Sequence, residues 1–369
     1  MKTKLLSFLM LLLFFGCAEK ESKTNTPKNV ILLISDGTGL AQISSAYFYK
    51  NSEVHYSRFK HIGLITTSSS KEDITDSAAS GTAFSSGEKT YNGAIGVLED
   101  STQLKNIVEI ASEKGVKTGL VATSSITHAT PASFYAHVTD RDFEEKIALQ
   151  LTHSEIDYFA GGGTQFFKQR TDALNLIDRL ETNGFAIDTQ SLKPIEAIKS
   201  NSKQGFLLSE DGMPKMSAGR GDFLSEATAL GIAFLHQNDA PFFIMSEGSQ
   251  IDWAGHDNDT DYLISELIDF DETIGRVLDF AEQDGETLVV VTSDHETGGF
   301  TLAGENYTTK EGKVYSSYSK LEPKFSTGGH SATLIPVFAY GPGAEHFSGV
   351  YDNTDIFHKI IQVTGWGED

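Results

Sequence analysis

Acidic and histidine side chains follow several apolar runs of this sequence, at the points where the runs end. The run in "NVILLISDGTG" (29–39) is followed by Asp36, and the run in "ETLVVVTSDHETGG" (286–299) by Asp294 and His295. Carboxylates combined with imidazoles suit zinc, and oxygen-only sets suit magnesium, so such residues at a shared edge would form metal sites. The full set of metal-type candidates is Asp36, His128, Thr130, Glu247, Asp252, His256, Asp294, His295 and His330.

No single member of this set is a specific signal. An aspartate after a strand often caps a helix instead, and Glu247 alone could be a buried carboxylate satisfied by hydrogen bonds. The glycine-rich stretches "DGTG" and "AGGG" are interpreted as turns rather than phosphate-binding loops. The joint pattern, with metal-type residues at five strand ends, is what indicates a metal centre. Seven other histidines are interpreted as core or surface residues: His55, His61, His137, His153, His236, His346 and His358.

The stretch "TDSAASGTAFSSGEKT" (75–90) consists almost entirely of small side chains after one acid. Thr75 and Asp76 can cap a helix that begins at Ser77. A serine at that end faces unpaired backbone N–H groups and the positive end of the helix dipole, which suit an anion attached to the serine. The alternative is a small-residue helix packed tightly on a sheet, without chemistry. The stretch alone leaves both interpretations open.

Apolar runs alternate with helical patterns along most of the chain. "VKTGLVATSS" follows "LKNIVEIASEKG", and "APFFIMSEGS" follows "DFLSEATALGIAFLHQ". This order predicts an α/β fold with three layers, a mainly parallel central sheet with helices on both faces. Ligands of such sheets bind outside the carboxyl ends of the strands, where the candidate residues lie. Residues 29–369 are predicted to form a single domain with small polar insertions near 165–220 and 304–326.

The N-terminal segment is expected to direct the export of the protein rather than to form part of its fold. Residues 1–16 predict a signal peptide, because a basic start precedes an apolar run too short to span a bilayer comfortably. Cys17, the only cysteine of the chain, follows a glycine as in a bacterial lipobox. A plain cleaved signal is the alternative, since Phe14 and Phe15 are bulky for that motif. Residues 17–28 would then be a polar tether on an exported protein, in the periplasm or as a lipoprotein of the outer membrane or cell surface.

The net charge of the chain is -22. This charge argues against binding to a nucleic-acid backbone. It would also repel an anionic substrate unless the site carries its own positive charge, such as metal ions.

One segment of the sequence closely resembles the nucleophile segment of the alkaline phosphatase family. This segment is "DSAASGTAFSSGEKTYNGAIG". The resemblance extends from "NVILLISDG" to "HSATLIPVFAYGPG" and includes "ITHATPASFYAHVTDR", "SEGSQIDWAGHDN" and "VTSDHETGGF". It is closest to short bacterial members, among them a cold-active Antarctic one. The resemblance implies a metal-dependent phosphomonoesterase of broad specificity that works through a phosphoserine and scavenges phosphate from external esters.

The resemblance also assigns roles to individual residues. Ser77 matches the nucleophile, and Arg141 matches the arginine that grips two phosphoryl oxygens. Two zinc ions and one magnesium ion per chain are implied. Their matched ligands are Asp36, Asp294 and His295 for the first zinc; Asp252, His256 and His330 for the second; and Asp36, Thr130 and Glu247 for magnesium.

The sequence departs from the best-known bacterial members at two positions of the site. Those members have aspartate and lysine where this chain has His128 and Trp253, and animal members have histidine at both. An imidazole at position 128, beside the magnesium ligands, would increase the preference of that site for zinc over magnesium. Trp253 removes a cation that would contact phosphate through water, which predicts looser product binding, faster release and a more alkaline optimum. A tryptophan that only packs the rim of the site is the alternative.

The chain is short for the family, and 304–326 resembles a reduced form of the region that often builds a crown at the dimer interface. A homodimer is therefore expected.

Three other functions compete with the phosphomonoesterase. A sulfatase would need a C/S-x-P-x-R motif, whereas Ser77 is followed by "AASG", and Arg141 argues against a phosphodiesterase. A non-catalytic lipoprotein that binds phosphate or metal is the third candidate, and a complete set of nucleophile and ligands argues against it.

Overall fold

The computed structural model describes residues 26–367, and its centre is a ten-stranded sheet. The predicted signal peptide, Cys17 and most of the predicted tether lie outside these residues. The strands in chain order are β1 Asn29–Ser35, β2 His61–Thr66, β3 Lys117–Ser125, β4 Tyr158–Gly162, β5 Phe185–Asp188, β6 Lys203–Leu207, β7 Phe242–Gly248, β8 Thr287–Thr292, β9 Glu296–Thr297, β10 Thr301–Thr308, β11 Val314–Lys324, β12 His330–Ser331, β13 Ile335–Tyr340 and β14 Gly349–Asp352.

The central sheet has the strand order β14-β2-β13-β8-β1-β7-β3-β4-β6-β5. Strand β13 runs antiparallel to its neighbours β2 and β8, and the other neighbouring pairs are parallel. The prediction of a mainly parallel sheet is therefore confirmed. Strand β1 lies in the middle of the sheet and is apolar throughout, because a central parallel strand is covered on both faces.

Helices cover both faces of the sheet, as predicted. Val30, Leu32 and Ile34 of β1 contribute to one hydrophobic core, and Ile31 and Leu33 contribute to the other. Within 26–367, no helix has the length and apolarity needed to cross a bilayer. The helices are α1 Leu40–Tyr49, α2 Ser77–Ser86, α3 Ile107–Glu113, α4 Ala129–Ala132, α5 Glu144–Leu151, α6 Thr164–Lys168, α7 Leu176–Thr182, α8 Ile195–Ile198, α9 Phe223–Leu235, α10 Gln250–Asp257, α11 Thr260–Asp284 and α12 Asp355–Thr364, with short 3₁₀ turns at His55–Arg58, Met216–Ala218, Gln237–Asp239 and Ala344–Phe347.

The two segments predicted as insertions have different structures. The segment 165–220 contains β5 and β6, which pair in parallel and extend the central sheet beyond β4. The segment 304–326 forms most of an antiparallel hairpin, β10 and β11, which lies outside that sheet. The division of the chain into one domain with two insertions stays a prediction.

Helix α2 is the small-residue stretch of the sequence, and all ten of its residues are buried. Asp76 caps it, since its Oδ1 accepts a hydrogen bond of 2.9 Å from the Ala79 amide. At Gly81 the helix approaches α4 so closely that a Cβ would lie 2.8 Å from the Ser133 Oγ. The small side chains therefore do serve close packing, and this packing fixes Ser77 at the start of the helix.

A buried ion cluster ties the loop after β6 to the long helix α11. Arg220 Nη2 donates to a carboxylate oxygen of Glu266 and, at 2.8 Å, to Asp269 Oδ2. The side chains are 0%, 2% and 4% exposed, respectively. Burial raises the pKa of Asp269 to about 6, although Arg220 favours its charged form. The negative charge of the two buried carboxylates is therefore compensated only while the Arg220 guanidinium is present.

Replacing Arg220 with methionine is expected to lower the free energy of unfolding by about 3–5 kcal/mol, because two carboxylates are left buried without a cation. Urea unfolding at pH 8 measures the loss. A smaller loss is expected at pH 5, where Asp269, with its pKa of about 6, takes up a proton. The control is Lys320→Met, since Lys320 pairs with Glu305 on the surface, where a salt bridge contributes little to stability. Equal losses for the two variants would contradict the prediction.

Candidate active site

The predicted site residues are carried by the central strands of the sheet. Asp36 follows β1 directly, Glu247 lies at the carboxyl end of β7, and Asp294 follows β8. Strand β1 lies between β7 and β8, so these three carboxylates meet at one edge. His128 lies between β3 and α4, directly before the first residue of α4, and Thr130 lies in α4. Asp252 and His256 lie in α10, and His330 is in the short strand β12.

The first group of possible metal ligands consists of Asp36, Asp294 and His295, all buried. One ligand atom from each lies within 4.8 Å of the others. The His295 Nε2 lies 3.1 Å from Asp294 Oδ2 and 3.7 Å from Asp36 Oδ1. Two carboxylates and one imidazole that converge in a buried place match the chemistry of a zinc site.

The second group consists of Asp252, His256 and His330. The Nδ1 atoms of the two histidines lie 2.8 Å from carbonyl oxygens, of Gly328 for His256 and of Thr75 for His330. Nδ1 therefore donates in both rings, and the two Nε2 atoms, 3.1 Å apart, face each other with lone pairs. Asp252 Oδ1 lies 3.4 and 3.6 Å from these nitrogens. A metal ion between them would satisfy both nitrogens and the carboxylate oxygen at once, so the residues fit a metal ion.

The third group consists of Asp36, His128 and Glu247, so Asp36 belongs to two groups. Both Asp36 oxygens and Glu247 Oε1 are buried without a hydrogen-bond partner, and so is the Thr130 Oγ1. Buried polar atoms of native proteins nearly always have partners. The unpaired oxygens therefore fit a cation that prefers oxygen ligands.

The electrostatics of these buried carboxyl groups also indicate that the site binds cations. Burial, followed by the negative charges of Asp294, Asp252 and Glu247, raises the pKa of Asp36 well above its ordinary range. Burial raises the pKa of Glu247 to about 7. Carboxylates this close together and this deeply buried cannot all be ionised without compensating positive charge. Metal ions would supply that charge, despite the net charge of -22 of the whole chain.

Ser77 and Arg141 lie next to the ligand groups. The Ser77 Oγ is 3.3 Å from His295 Nε2, at the first residue of α2. Arg141 Nη1 lies 3.1 Å from Asp76 Oδ2, and its Nη2 lies 3.2 Å from His128 Nε2. Burial, and then the Arg141 charge, lowers the pKa of His128 to about 3, so its ring is neutral and accepts from Arg141. Contacts on two sides thus fix the Arg141 guanidinium near Ser77. The planar fork of N–H donors of this guanidinium suits a dianionic group.

Comparison with known proteins agrees with this geometry. The profile of the alkaline phosphatase family matches residues 27–314. Alkaline phosphatase 3 of Bacillus subtilis is 32% identical, over 94% of this chain and 90% of the relative. The chain belongs to the alkaline phosphatase family. The solved alkaline phosphatase of the Antarctic bacterium TAB5 is 60% identical, with a TM-score of 0.91 over 93% of this chain and 99% of the neighbour.

Alkaline phosphatases are metal-dependent phosphomonoesterases, and the family resemblance predicted from the motifs is confirmed. A histidine-to-aspartate variant of the TAB5 enzyme, solved with Mg bound in its M3 site, is also 60% identical to this chain and has a TM-score of 0.92. The structure brings every residue that the alkaline phosphatase resemblance assigned to a metal into, or beside, the three groups. The roles of the individual residues stay predictions.

Trp253 lies in α10 at the edge of this cluster. Its ring centroid is 6.0 Å from that of His128, in an edge-on arrangement. At Gly212, in the loop after β6, an added Cβ would lie 2.6 Å from the Trp253 Cη2, so the loop backbone packs closely against the indole. Trp253 therefore forms a wall beside His128.

Several contacts of the site could not be found in the sequence. The carbonyls of Thr75 and Gly328 orient two histidines, and a backbone carbonyl carries no sequence signal. The Thr297 Oγ1 lies 3.2 Å from His295 Nδ1. The only available signal was its place in "DHETGG", two residues after His295.

Proposed function

We propose that this protein hydrolyses phosphate monoesters through a phosphoserine formed on Ser77. The observation that carries the proposal is the position of the Ser77 hydroxyl. It lies at the start of α2, 3.3 Å from a nitrogen of the first ligand group, and close to the Arg141 fork. A nucleophile, metal-type ligands and a dianion-binding group thereby share one edge of the sheet.

Two zinc ions and one magnesium ion are proposed to bind at the three groups. The first zinc is assigned to Asp36, Asp294 and His295, and magnesium to Asp36, Thr130 and Glu247. These ions would supply the positive charge that favours the serine alkoxide and stabilises the oxygens that enter and leave phosphorus. The second zinc is assigned to Asp252, His256 and His330. Near the magnesium group, His128 adds an imidazole, which would shift the metal preference of that site towards zinc.

The protein groups around Ser77 prepare it for an in-line reaction. The first N–H groups of α2 and the helix dipole favour negative charge at the serine. Arg141 would bind two phosphoryl oxygens, and its pairing with Asp76 fixes the plane of the guanidinium. Positioning and charge stabilisation are the main contributions that a protein can make to phosphoryl transfer.

The proposed reaction has two balanced steps. The Ser77 hydroxyl loses its proton as its oxygen forms a bond to phosphorus, the ester P–O bond breaks, and the leaving oxygen takes up a proton to give the alcohol. Water then adds to the phosphoserine, the Ser77–phosphorus bond breaks, and inorganic phosphate and the serine hydroxyl are released.

Three p-nitrophenyl esters test this proposal at alkaline pH: the phosphate monoester, a phosphate diester and the sulfate ester. The monoester should be hydrolysed at least about a hundred times faster than the other two, since they lack the dianion that Arg141 fits. EDTA should abolish the rate, and zinc with magnesium should restore it. Preference for the sulfate or the diester would instead favour one of the two related hydrolases. No turnover by metal-loaded protein would favour a binding protein.

Trp253→Lys is expected to tighten the binding of product phosphate, since it adds a cation beside His128 at the wall of the site. The inhibition constant for inorganic phosphate should fall by roughly tenfold, which corresponds to about 1.4 kcal/mol for one added charge contact. The pH optimum should move down. Trp253→Phe is the control, because it keeps an apolar ring against Gly212. Unchanged phosphate inhibition in the lysine variant would mean that Trp253 only packs the rim.

A homodimer is proposed from an exposed apolar surface. Helix α1 contacts the strand β10 of the hairpin, and both expose large apolar side chains. Such contiguous patches usually mark interfaces, and a second copy of the chain is the expected partner. The exposed residues are Leu40, Tyr47, Phe48 and Tyr49 of α1, with Tyr307, Val314, Tyr315 and Tyr318 of the hairpin.

Phe48→Glu is expected to convert the dimer into a monomer at micromolar concentration, because it places a charge among the exposed apolar side chains of α1. Sedimentation velocity measures the change. Val350→Glu is the control, as Val350 is similarly exposed, at 67% against 63% for Phe48, but lies on β14. A dimer that survives Phe48→Glu, or one that is broken equally by both changes, would show that the interface lies elsewhere.

Export and phosphate scavenging are proposed from the N-terminal residues 1–28. Cleavage before Cys17 and its lipidation would hold the enzyme at a membrane surface, where external phosphate esters are accessible. Membrane fractionation of the wild type and of Cys17→Ser distinguishes the alternatives. A lipoprotein becomes soluble when Cys17 is replaced, and an enzyme with a plain cleaved signal is soluble in both cases.

A further inference from the structure

Thr297 connects the loops that carry the ligands of both zinc groups. It is fully buried and lies in the two-residue strand β9, two positions after His295. Its amide donates to the Gly37 carbonyl at 3.0 Å, next to Asp36. In the β9–β12 pair it lies opposite His330. The backbone of this one residue therefore links three ligand-bearing segments.

The Thr297 hydroxyl lies between one ligand of each group. It donates to Asp252 Oδ1, and its oxygen is 3.2 Å from His295 Nδ1. An ionised carboxylate can only accept, so the hydroxyl hydrogen must point to Asp252. The hydroxyl oxygen is then left to accept a hydrogen bond from Nδ1–H of His295.

This hydrogen-bond chain fixes the tautomer of His295. With the proton on Nδ1, the lone pair of Nε2 points towards Asp294 Oδ2 at 3.1 Å and Asp36 Oδ1 at 3.7 Å. At the other end, the chain holds the Asp252 oxygen that faces His256 and His330 at 3.4 and 3.6 Å. A partner that fixes the tautomer and direction of a ligand raises its affinity for a metal.

We propose that the Thr297 hydroxyl is a positioning group shared by the two zinc groups, so that its loss weakens metal binding at both. This inference rests on the metal assignment proposed above. Within residues 26–367, no other side chain forms a hydrogen bond to one ligand of each group.

Packing is the competing explanation, because Thr297 also fills space. A Cβ at Gly255 would lie 3.0 Å from the Thr297 Cγ2, so the methyl group lies in a tight contact. Thr297→Val keeps a methyl group and removes the hydroxyl, whereas Thr297→Ser does the reverse. Thr297→Ala differs from the serine variant only by the hydroxyl and serves if the valine variant does not fold.

Zinc affinity, measured by competition with a chromophoric chelator, tests the proposal independently of turnover. The valine and alanine variants should bind both zinc equivalents roughly 10–100-fold more weakly than the wild type, and the serine variant within about threefold. Cobalt absorption bands should shift in the same variants. Thr273→Val is the control, since Thr273 is equally buried but donates only to a carbonyl of its own helix, that of Asp269, at 3.0 Å.

Three outcomes overturn the proposal. The valine and alanine variants could bind zinc as tightly as the wild type, the serine variant could bind as weakly as they do, or only one zinc equivalent could be weakened. A wild type that binds no zinc would overturn the metal assignment itself. Normal zinc binding without hydrolysis of monoesters would overturn the proposed function and leave the role of Thr297 standing.

Discussion

Ser77→Ala is expected to reduce the hydrolysis of p-nitrophenyl phosphate by about a thousandfold or more, because the oxygen that would bond to phosphorus is removed. The metal groups do not include Ser77, so zinc binding should be unchanged. The remaining rate would come from charge stabilisation alone, with water as the nucleophile. Stopped-flow measurements should show that any burst of p-nitrophenol is lost as well.

Ser86→Ala is the matched control for this loss. Ser86 is also buried in α2, but its hydroxyl donates to the Thr82 carbonyl at 2.7 Å, at the far end of the helix. It should keep at least about half of the wild-type rate, since the loss of one such hydrogen bond changes stability by only about 1 kcal/mol. If Ser77→Ala kept a tenth of the activity, Ser77 would not be the nucleophile.

Asp36→Asn is expected to have opposite effects on activity and on the stability of the metal-free protein. Asp36 belongs to two ligand groups, so its replacement should weaken metal binding at both and reduce activity by more than about a hundredfold. In EDTA, however, the variant should unfold at a higher temperature than the wild type above pH 7. The amide has the shape of the carboxyl group but carries no charge to bury.

The pH dependence follows from the raised pKa values. Burial raises the pKa of Asp36 above its ordinary range, and that of Glu247 from 4.5 to about 7. Between the ordinary pKa and the raised pKa of each group, the folded, metal-free protein holds a proton that the unfolded chain has released. The stability of the metal-free protein therefore falls as the pH rises through this range. For Glu247 this loss is on the order of 3 kcal/mol. Glu247→Gln, like Asp36→Asn, should therefore stabilise the metal-free protein at pH 8 and not at pH 4.5.

Differential scanning fluorimetry with EDTA, at pH 4.5 and pH 8, checks both variants against the wild type. Other titrating groups are common to the compared proteins, so their contributions cancel in the differences. Metals should reverse the order at pH 8, since they stabilise the wild type by an amount that rises with the logarithm of their affinity. A wild type that is more stable than both variants in EDTA at pH 8 would show that these carboxyl groups are not strained by burial.

The central part of the fold could be predicted because its sequence pattern is simple. β1, β3, β7 and β8 are apolar runs that end in polar residues, as strands covered on both faces must be. β5 and β6 were not recognised as strands, because both are short, of four and five residues, and neither contains a long apolar run. The hairpin of β10 and β11 was expected only as an insertion, since its pairing depends on contacts between its two strands.

The candidate site residues were named from the sequence alone: the metal-type side chains follow the ends of apolar runs, and the resemblance to the alkaline phosphatases assigned Ser77 and Arg141. Their roles stay predictions. Their arrangement was decided by the tertiary structure. Asp36 is shared by two ligand groups, Arg141 is held between Asp76 and His128, and the Thr297 hydroxyl lies between Asp252 and His295. The partners in these contacts are separated by up to 259 residues along the chain, as in Asp36 and His295. The physical reason is that the sheet brings strand ends together irrespective of their distance in sequence, and only the packed structure fixes which atoms meet.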